Sequence, residues 1–515
     1  MEKKLIKYLI LSTLIVVPVI FFPTYNMYST PKWLTIYITL TLASFFALTS
    51  NVRFYVPVFP KFVTLAIISL VALYISTMIA TWPGYYFFPV MHWVGFFLVA
   101  FFSYNTIRLS EGAFSGKWII IPTLPVISLA MLQIFNFHPI IGTWLSPVSN
   151  VISSLGNPNF LAFFLSISIL VQIFQFRRVK GYFQLLLLIV STFVILKTTC
   201  RSALVALTVS VCFTYIPISF NKKLLASLIL LVGLISAGHF YNKLNGNARL
   251  SLWVNSGYMI ADNPLLGVGP NKFVSSYGKY HNNFKKYRLT TDTVVESHPH
   301  NAYIETMVEN GIPFLVILMI VLIALFVKIY RDPHVNSKSL FISIFIFLSI
   351  NVFFTFSLQR PTIYYFTAFF LGQTLRLDLN RYRLPLNFKY AFLIPVVVFS
   401  YLVYSKYLSH RNFYKYGGNL PAVKQSCSLW PVTWIFCMRQ GEMEIGVKRL
   451  KAAEKTFEKI IVNYQGLYPV MGKQGIVHYF NGGKEKGCKL LNEYKNILQG
   501  KSYLDPFISK HCRSE

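Results

Sequence analysis

The chain has 515 residues, of which 55% are hydrophobic, 17% aromatic and only 13% charged, with a formal net charge of +31 and a mean hydropathy of +0.53. Apolar runs of membrane-spanning length recur from end to end, which excludes an ordinary soluble multidomain protein. The basic residues sit in short clusters between those runs and not along one polar face, which excludes nucleic acid and makes the lipid bilayer the first partner.

Lys3, Lys4 and Lys7 precede the first apolar run. Pro18, Phe21, Phe22 and Pro23 stand where a signal peptide would need small residues, so the run reads as an uncleaved first span. In chain order the expected spans are 5–22, 33–50, 62–80, 86–104, 118–136, 159–176, 182–198, 202–220, 224–241, 312–330, 339–357, 361–376 and 390–408. Each approaches the length a helix needs to cross the hydrocarbon, where only a helix satisfies its own backbone. The expected fold is therefore all-α, a polytopic transmembrane bundle of about thirteen spans. Residues 1–241 hold the first nine spans, 242–311 form a large periplasmic loop, 312–408 hold the last four, and 409–515 form a small helical periplasmic domain.

The charge pattern orients the chain with its N-terminus in the cytoplasm. Inner loops then hold Arg53, Lys61, Arg108, Lys117, Arg177, Arg178, Lys180, Lys222, Lys223, Lys328, Arg331, Lys338, Arg376, Arg381, Arg383 and Lys389. The short outer loops hold only Lys32, Lys197, Arg201 and Arg360. The outer loop at 242–302 breaks the rule, with Lys243, Arg249, Lys272, Lys279, Lys285, Lys286 and Arg288 against Asp262, Asp292 and Glu296. Long loops cross regardless of charge, so topology permits this excess without explaining it. An anionic ligand at this loop explains it; a basic surface near anionic headgroups is the alternative.

Along the outer face, GNPNF at 156–160 carries Asn157 and Asn159 into the sixth span, and TTCRSAL at 198–204 sets Arg201 at the start of the eighth. An Arg there is costly unless it reaches the interface or meets an anion. Arg249 opens an interfacial helix in which Trp253 suits headgroup depth. Asp262, Asn263 and Pro264 end that helix, and Gly267 and Gly269 allow a tight turn that is a turn first and a phosphate cradle second. In ESHPHNAYIETMVENGIP, Pro299 fixes the approach, Asn301 caps a short helix with Glu305 and Glu309 on one face, Gly311 breaks it and Pro313 starts the tenth span. His300 thus sits at a loop-to-helix junction. His298, His300 and Glu296 could bind zinc, but no further ligand cluster stands nearby, so no metal is assigned. Arg360 reads as an anchor rather than a site residue.

GNPNFLAFFL, TCRSALVAL, ARLSLWVNSGYMIADNPLLGVGPNKF and HPHNAYIETMVENGIPFL, in this order over roughly 150–330, resemble the bacterial O-antigen ligase/polymerase family, which includes protein O-oligosaccharyltransferases. Cys200 departs from the Ser that relatives often have, and a small residue fits either way. The resemblance implies an inverting membrane glycosyltransferase, without cofactor or metal, that moves a glycan from undecaprenyl diphosphate to an acceptor. It implies His300 as the base, Arg201 and Arg249 on the diphosphate, and Asn157, Asn159, Asn301, Tyr303, Glu305, Lys285 and Arg288 as substrate-binding residues. Lipid A–core is the expected acceptor; a protein or a growing glycan are the alternatives within the family. A lipid-linked-oligosaccharide flippase is the rival of another class. It predicts ionisable residues at mid-bilayer depth and internal repeats, whereas here the ionisable residues collect at outer span ends.

The tail reads as helices at 444–463, 468–480 and 484–498, with Ala452, Ala453, Gly475 and Gly487 at packing positions, like one or two tetratricopeptide-type units. Such a unit cannot bury a core alone and is expected to pack on the membrane domain. Cys427, Cys437, Cys488 and Cys512 permit three pairings, and Cys200 and Cys212 read as small apolar residues within spans.

Overall fold

A computed structural model describes residues 2–21, 28–81, 87–107, 116–137, 151–177, 181–216, 248–280, 298–331, 338–355, 360–375, 381–416, 419–428, 434–463, 468–498 and 504–512. Lys285, Arg288 and the expected ninth span lie outside the described residues. The first helices are α1 (Glu2–Val19), α2 (Thr30–Thr49), α3 (Lys61–Ala80), α4 (Phe87–Thr106) and α5 (Lys117–Ile134). There follow α6 (Pro158–Phe176), α7 (Tyr182–Lys197), α8 (Arg201–Tyr215), α9 (Ala248–Asp262) and the short α10 (Phe273–Ser276). The later membrane helices are α11 (Ala302–Arg331), α12 (Lys338–Asn351), α13 (Pro361–Leu375) and α14 (Leu393–Tyr416). In the tail are α15 (Leu420–Ser428), α16 (Trp434–Gly446), α17 (Leu450–Asn463), α18 (Tyr468–Phe480), α19 (Lys484–Leu498) and α20 (Asp505–His511).

Every expected span that falls on described residues overlaps a helix. Six segments among the described residues are long and apolar enough to cross a membrane: Thr30–Thr49, Lys61–Ala80, Lys117–Ile134, Pro158–Phe176, Ala302–Arg331 and Leu386–Ser409. The fold is all-α with one addition, a two-stranded antiparallel ribbon of β1 (Tyr55–Pro57) and β2 (Arg381–Arg383). Asn105 holds β1 by accepting from Tyr55 N and donating to Tyr55 O. The ribbon joins two loops that the charge rule assigns to the same side.

The chain divides into two compact units. The first comprises 1–64, 92–241 and 321–406. Its helices are tied by side-chain hydrogen bonds of the kind apolar surroundings require. Thr13 and Thr39 hydroxyls meet at 2.7 Å, as do those of Thr123 and Ser168. Gln373 Nε2 donates to Ser103 O at 2.8 Å, and Tyr365 OH to Ile10 O at 2.9 Å. Lys32, expected on an outer loop, is instead buried, and its Nζ donates to Pro18 O and Ile20 O, carbonyls at the end of α1 that no further turn can satisfy.

The second unit comprises 65–91, 242–320 and 407–515. In its tail, Gly475 and Gly487 let α18 and α19 approach closely: a Cβ on Gly487 would lie 2.7 Å from Gly475 O. The expected helix at 444–463 is divided, because α16 ends at Gly446 and Lys448 takes a left-handed φ of 60° before α17 begins. The cysteines pair as Cys427–Cys437 and Cys488–Cys512. Cys427, Cys437, Phe457, Ile460 and Val477 form the tail's apolar centre, against which Val274 of the 242–320 segment packs.

Candidate active site

The 248–312 segment of the second unit is built from its apolar residues outward. Leu252 and Met259 of α9, Phe273, Tyr277 and Tyr280 of the following turn, and Val308 of α11 form one buried cluster. Asp262 ends α9 and accepts a hydrogen bond from Tyr280 OH at 2.8 Å. That bond and burial, burial most, push the Tyr280 phenol up to about 12. Between α9 and α10 the chain crosses the start of α11 in a backbone clasp. Val268 N donates to Val308 O at 2.8 Å, Gly269 N to Glu309 O at 3.0 Å, and Ile312 N to Pro264 O at 2.8 Å. With Gly267 N donating to Asn263 O at 3.1 Å, all three N–H groups of the GVG turn are used inside the protein, so this turn is a brace and not the phosphate cradle considered from sequence. Gly267 at φ 68° and Gly311 at φ 83° are required here: a Cβ on Gly267 would lie 2.5 Å from Val308 O, and one on Gly311 would strike Leu265 O.

Gly311 also divides α11, with non-helical φ and ψ at that residue. The apolar stretch that can span therefore begins after it, and Ala302–Asn310 is a separate short helix ahead of the crossing. Asn301 caps it, its Oδ1 accepting from Tyr303 N at 3.0 Å and Ile304 N at 3.1 Å. His300, immediately before the cap, adopts a left-handed φ of 55°. A non-glycine residue there costs about 1 kcal/mol or more and persists where its surroundings over-determine it. The surroundings are explicit. On one side is the Asn301 cap; on the other, Trp253 Nε1 donates to Pro299 O at 2.8 Å. Trp253, expected as a headgroup anchor, thus finds its acceptor within the protein, as a partly buried indole N–H requires. Arg249 lies one helical turn before Trp253 and so on the same face of α9.

Behind His300, His298 Nδ1 meets Glu305 Oε1 at 2.8 Å, and both side chains are largely buried. Glu309, one turn on, turns its carboxylate under the 271–273 turn and accepts from Phe273 N at 3.3 Å. Burial first, then the charge of Glu305, raises its pKa to about 8, against the opposing effect of backbone donors at Asn271 and Phe273. Lys272 Nζ donates to Thr81 O, and burial lowers its pKa. A carboxylate titrating near 4.5 unfolded and near 8 folded keeps its proton longer in the folded state. Its contribution to stability is complete below about pH 4.5 and is lost as pH rises through 8. Glu309→Gln should therefore flatten the decline in thermal midpoint of the solubilised protein between pH 5 and 8; an unchanged slope would assign that decline elsewhere.

Arg201, Asn157 and Asn159 belong to the first unit. Arg201 is the first residue of α8 and is exposed, with Cys200 buried at the cap position before it, ahead of the helix and not within a span. Asn157 caps α6 by accepting from Asn159 N at 2.8 Å, and Gly156 before it takes φ 73°. Asn157 therefore shapes the turn that begins the span. The Arg360 guanidinium lies 5.2 Å from the centre of the Phe160 ring, the residue that follows Asn159 on α6. Tyr303 and Glu305 lie on the short helix that Asn301 caps, directly after His300 in the chain; Lys285 and Arg288 lie outside the described residues. The residues that sequence reasoning missed are Trp253 as the brace of Pro299, His298 as the partner of Glu305, and Glu309 beneath the turn.

Residues 159–319 match the O-antigen ligase family. The match spans less than a third of the chain and contains Arg201, Arg249, His300 and the whole braced segment, with Asn157 just outside it. No curated protein matches the chain. With its apolar helices, the chain is a multi-pass helical membrane protein whose 159–319 segment is similar to the O-antigen ligase family.

Proposed function

We propose that this ligase-like protein transfers a preassembled glycan from undecaprenyl diphosphate to an acceptor hydroxyl, lipid A–core being the acceptor, at the outer face of the inner membrane. The observation that carries the reading is His300, held in a left-handed conformation between two braces within the family-matched segment. In the reaction, the acceptor hydroxyl attacks the anomeric carbon while the glycosyl–phosphate C–O bond breaks from the opposite side. The hydroxyl proton goes to His300 and the electron pair to the departing undecaprenyl diphosphate, giving inversion. A positioned base of this kind contributes about 10²–10⁴-fold.

Arg249 and Arg201 act on the leaving group. Guanidinium keeps its charge and grips phosphate oxygens bidentately, so two of them can offset the negative charge that grows on the diphosphate. The Glu305 carboxylate holds the His298 ring beside the base, and Asn301 fixes the backbone that carries it. In this reading the N-terminus is cytoplasmic and the tail periplasmic. Two disulfides in the tail support an oxidising compartment.

The test is geometric. Arg249→Lys and Arg201→Lys keep the charge and lose the fork, and each should slow transfer of a lipid-diphosphate glycan at least about tenfold with normal membrane insertion. Transfer at the wild-type rate in both would remove the diphosphate assignment.

A further inference from the structure

The segment that follows Trp253 carries an apolar edge that glycan transfer does not use. Leu265, in the turn after α9, is 68% exposed, and Tyr258 of α9 is 45% exposed. At about 100° per residue, Tyr258 stands on the other side of α9 from Trp253. The backbone at Leu265 abuts the start of the span in α11. Ile312 N donates to Pro264 O at 2.8 Å, and a Cβ on Gly311 would strike Leu265 O. From that contact an exposed stripe runs along α11 through Ile312, Val316 and Ile320, one helical turn apart and 41%, 52% and 46% exposed.

We infer that Tyr258 and Leu265 dip into the bilayer leaflet that α11 enters at Ile312, and that this edge, not Trp253, seats α9 on the membrane. A single exposed leucine is ordinary on a protein surface. Leu265 differs because it prolongs the face that a spanning helix presents to lipid, so the acyl chains beside Ile312 also meet it. Tyr258, with an apolar ring and a polar hydroxyl, suits the headgroup boundary. Asp262 is exposed at the end of α9, its carboxylate tied to Tyr280 OH. A carboxylate is costly deeper in the hydrocarbon, so Asp262 limits the insertion to the boundary.

The test uses the full chain with its two free cysteines replaced, Cys200→Ser and Cys212→Ala. One fluorophore is attached through Leu265→Cys, Tyr258→Cys, Val316→Cys or Lys455→Cys, all exposed positions where cysteine leaves the packing intact. In phosphatidylethanolamine–phosphatidylglycerol vesicles, nitroxide carried on the lipid acyl chain should quench the label at position 265 as strongly as that at 316. Nitroxide carried near the headgroup should quench the label at 258. Aqueous iodide should quench the label at 455 of the tail and lose that effect at 265 and 316. Iodide quenching at 265 equal to that at 455 would overturn the contact. So would a label at 265 that neither quencher reaches, the result if a second copy or another protein covers this edge. Quenching reads lipid contact without a transfer assay, so its failure is distinct from failure of the proposed reaction.

Discussion

His300→Ala should lower glycan transfer by about 10²–10⁴-fold, the range that removing a positioned base gives, with protein level and membrane insertion unchanged. The expectation rests on where the ring is held. The left-handed backbone at His300 has the Asn301 cap on one side and the Trp253–Pro299 hydrogen bond on the other. Alanine removes the imidazole and leaves both braces, so a loss of transfer reports the ring and not the fold. Trp253 Nε1 and Asn301 Oδ1 bond to backbone atoms around position 300, and the segment should keep its thermal midpoint. Transfer within a few-fold of wild type would remove His300 as the base.

Gly311→Ala should do the opposite and damage the fold first. The residue has φ 83° and ψ 167°, a region open essentially to glycine. A Cβ there meets Leu265 O, its carbonyl carbon and Leu266 N, all backbone atoms that cannot swing aside. Relief would require opening the clasp in which Ile312 N donates to Pro264 O. Backbone strain of about 1–3 kcal/mol and overpacking of similar size add to a loss that is large against a marginal total stability. Gly257→Ala is the control: nothing lies within 4 Å of a Cβ at that helical position. It should be neutral or stabilise by about 0.5–1 kcal/mol. Equal midpoints for the two variants would show that the clasp does not hold this segment.

The helices were legible because the bilayer imposes one requirement, about twenty apolar residues per crossing, and the chain meets it repeatedly. The Asn301 cap and the Gly311 break were legible for the same local reason, since capping and left-handed φ need particular residues at particular positions. What stayed hidden depends on partners distant in sequence. Trp253 reads as an interfacial anchor until Pro299, forty-six residues on, offers its carbonyl. The GVG turn reads as a possible phosphate cradle until its N–H groups are seen to face Val308 and Glu309. The ribbon joins loops more than three hundred residues apart through strands of three residues, too short for any alternation to show. Two cysteine pairs among three possible sets required the tail's packing. In the tail, Gly446 was read through as helix, because a glycine inside an amphipathic run only lowers helix preference, while the left-handed Lys448 after it carries no signal.

The chain itself is expected to move a lipid-diphosphate-linked glycan. Purified protein in lipid vesicles, given glycan-loaded undecaprenyl diphosphate and lipid A–core, should form glycosylated lipid A–core with inverted anomeric configuration and release undecaprenyl diphosphate in equal amount. Wild-type protein that folds, as read by its thermal midpoint, and forms neither product would contradict the account.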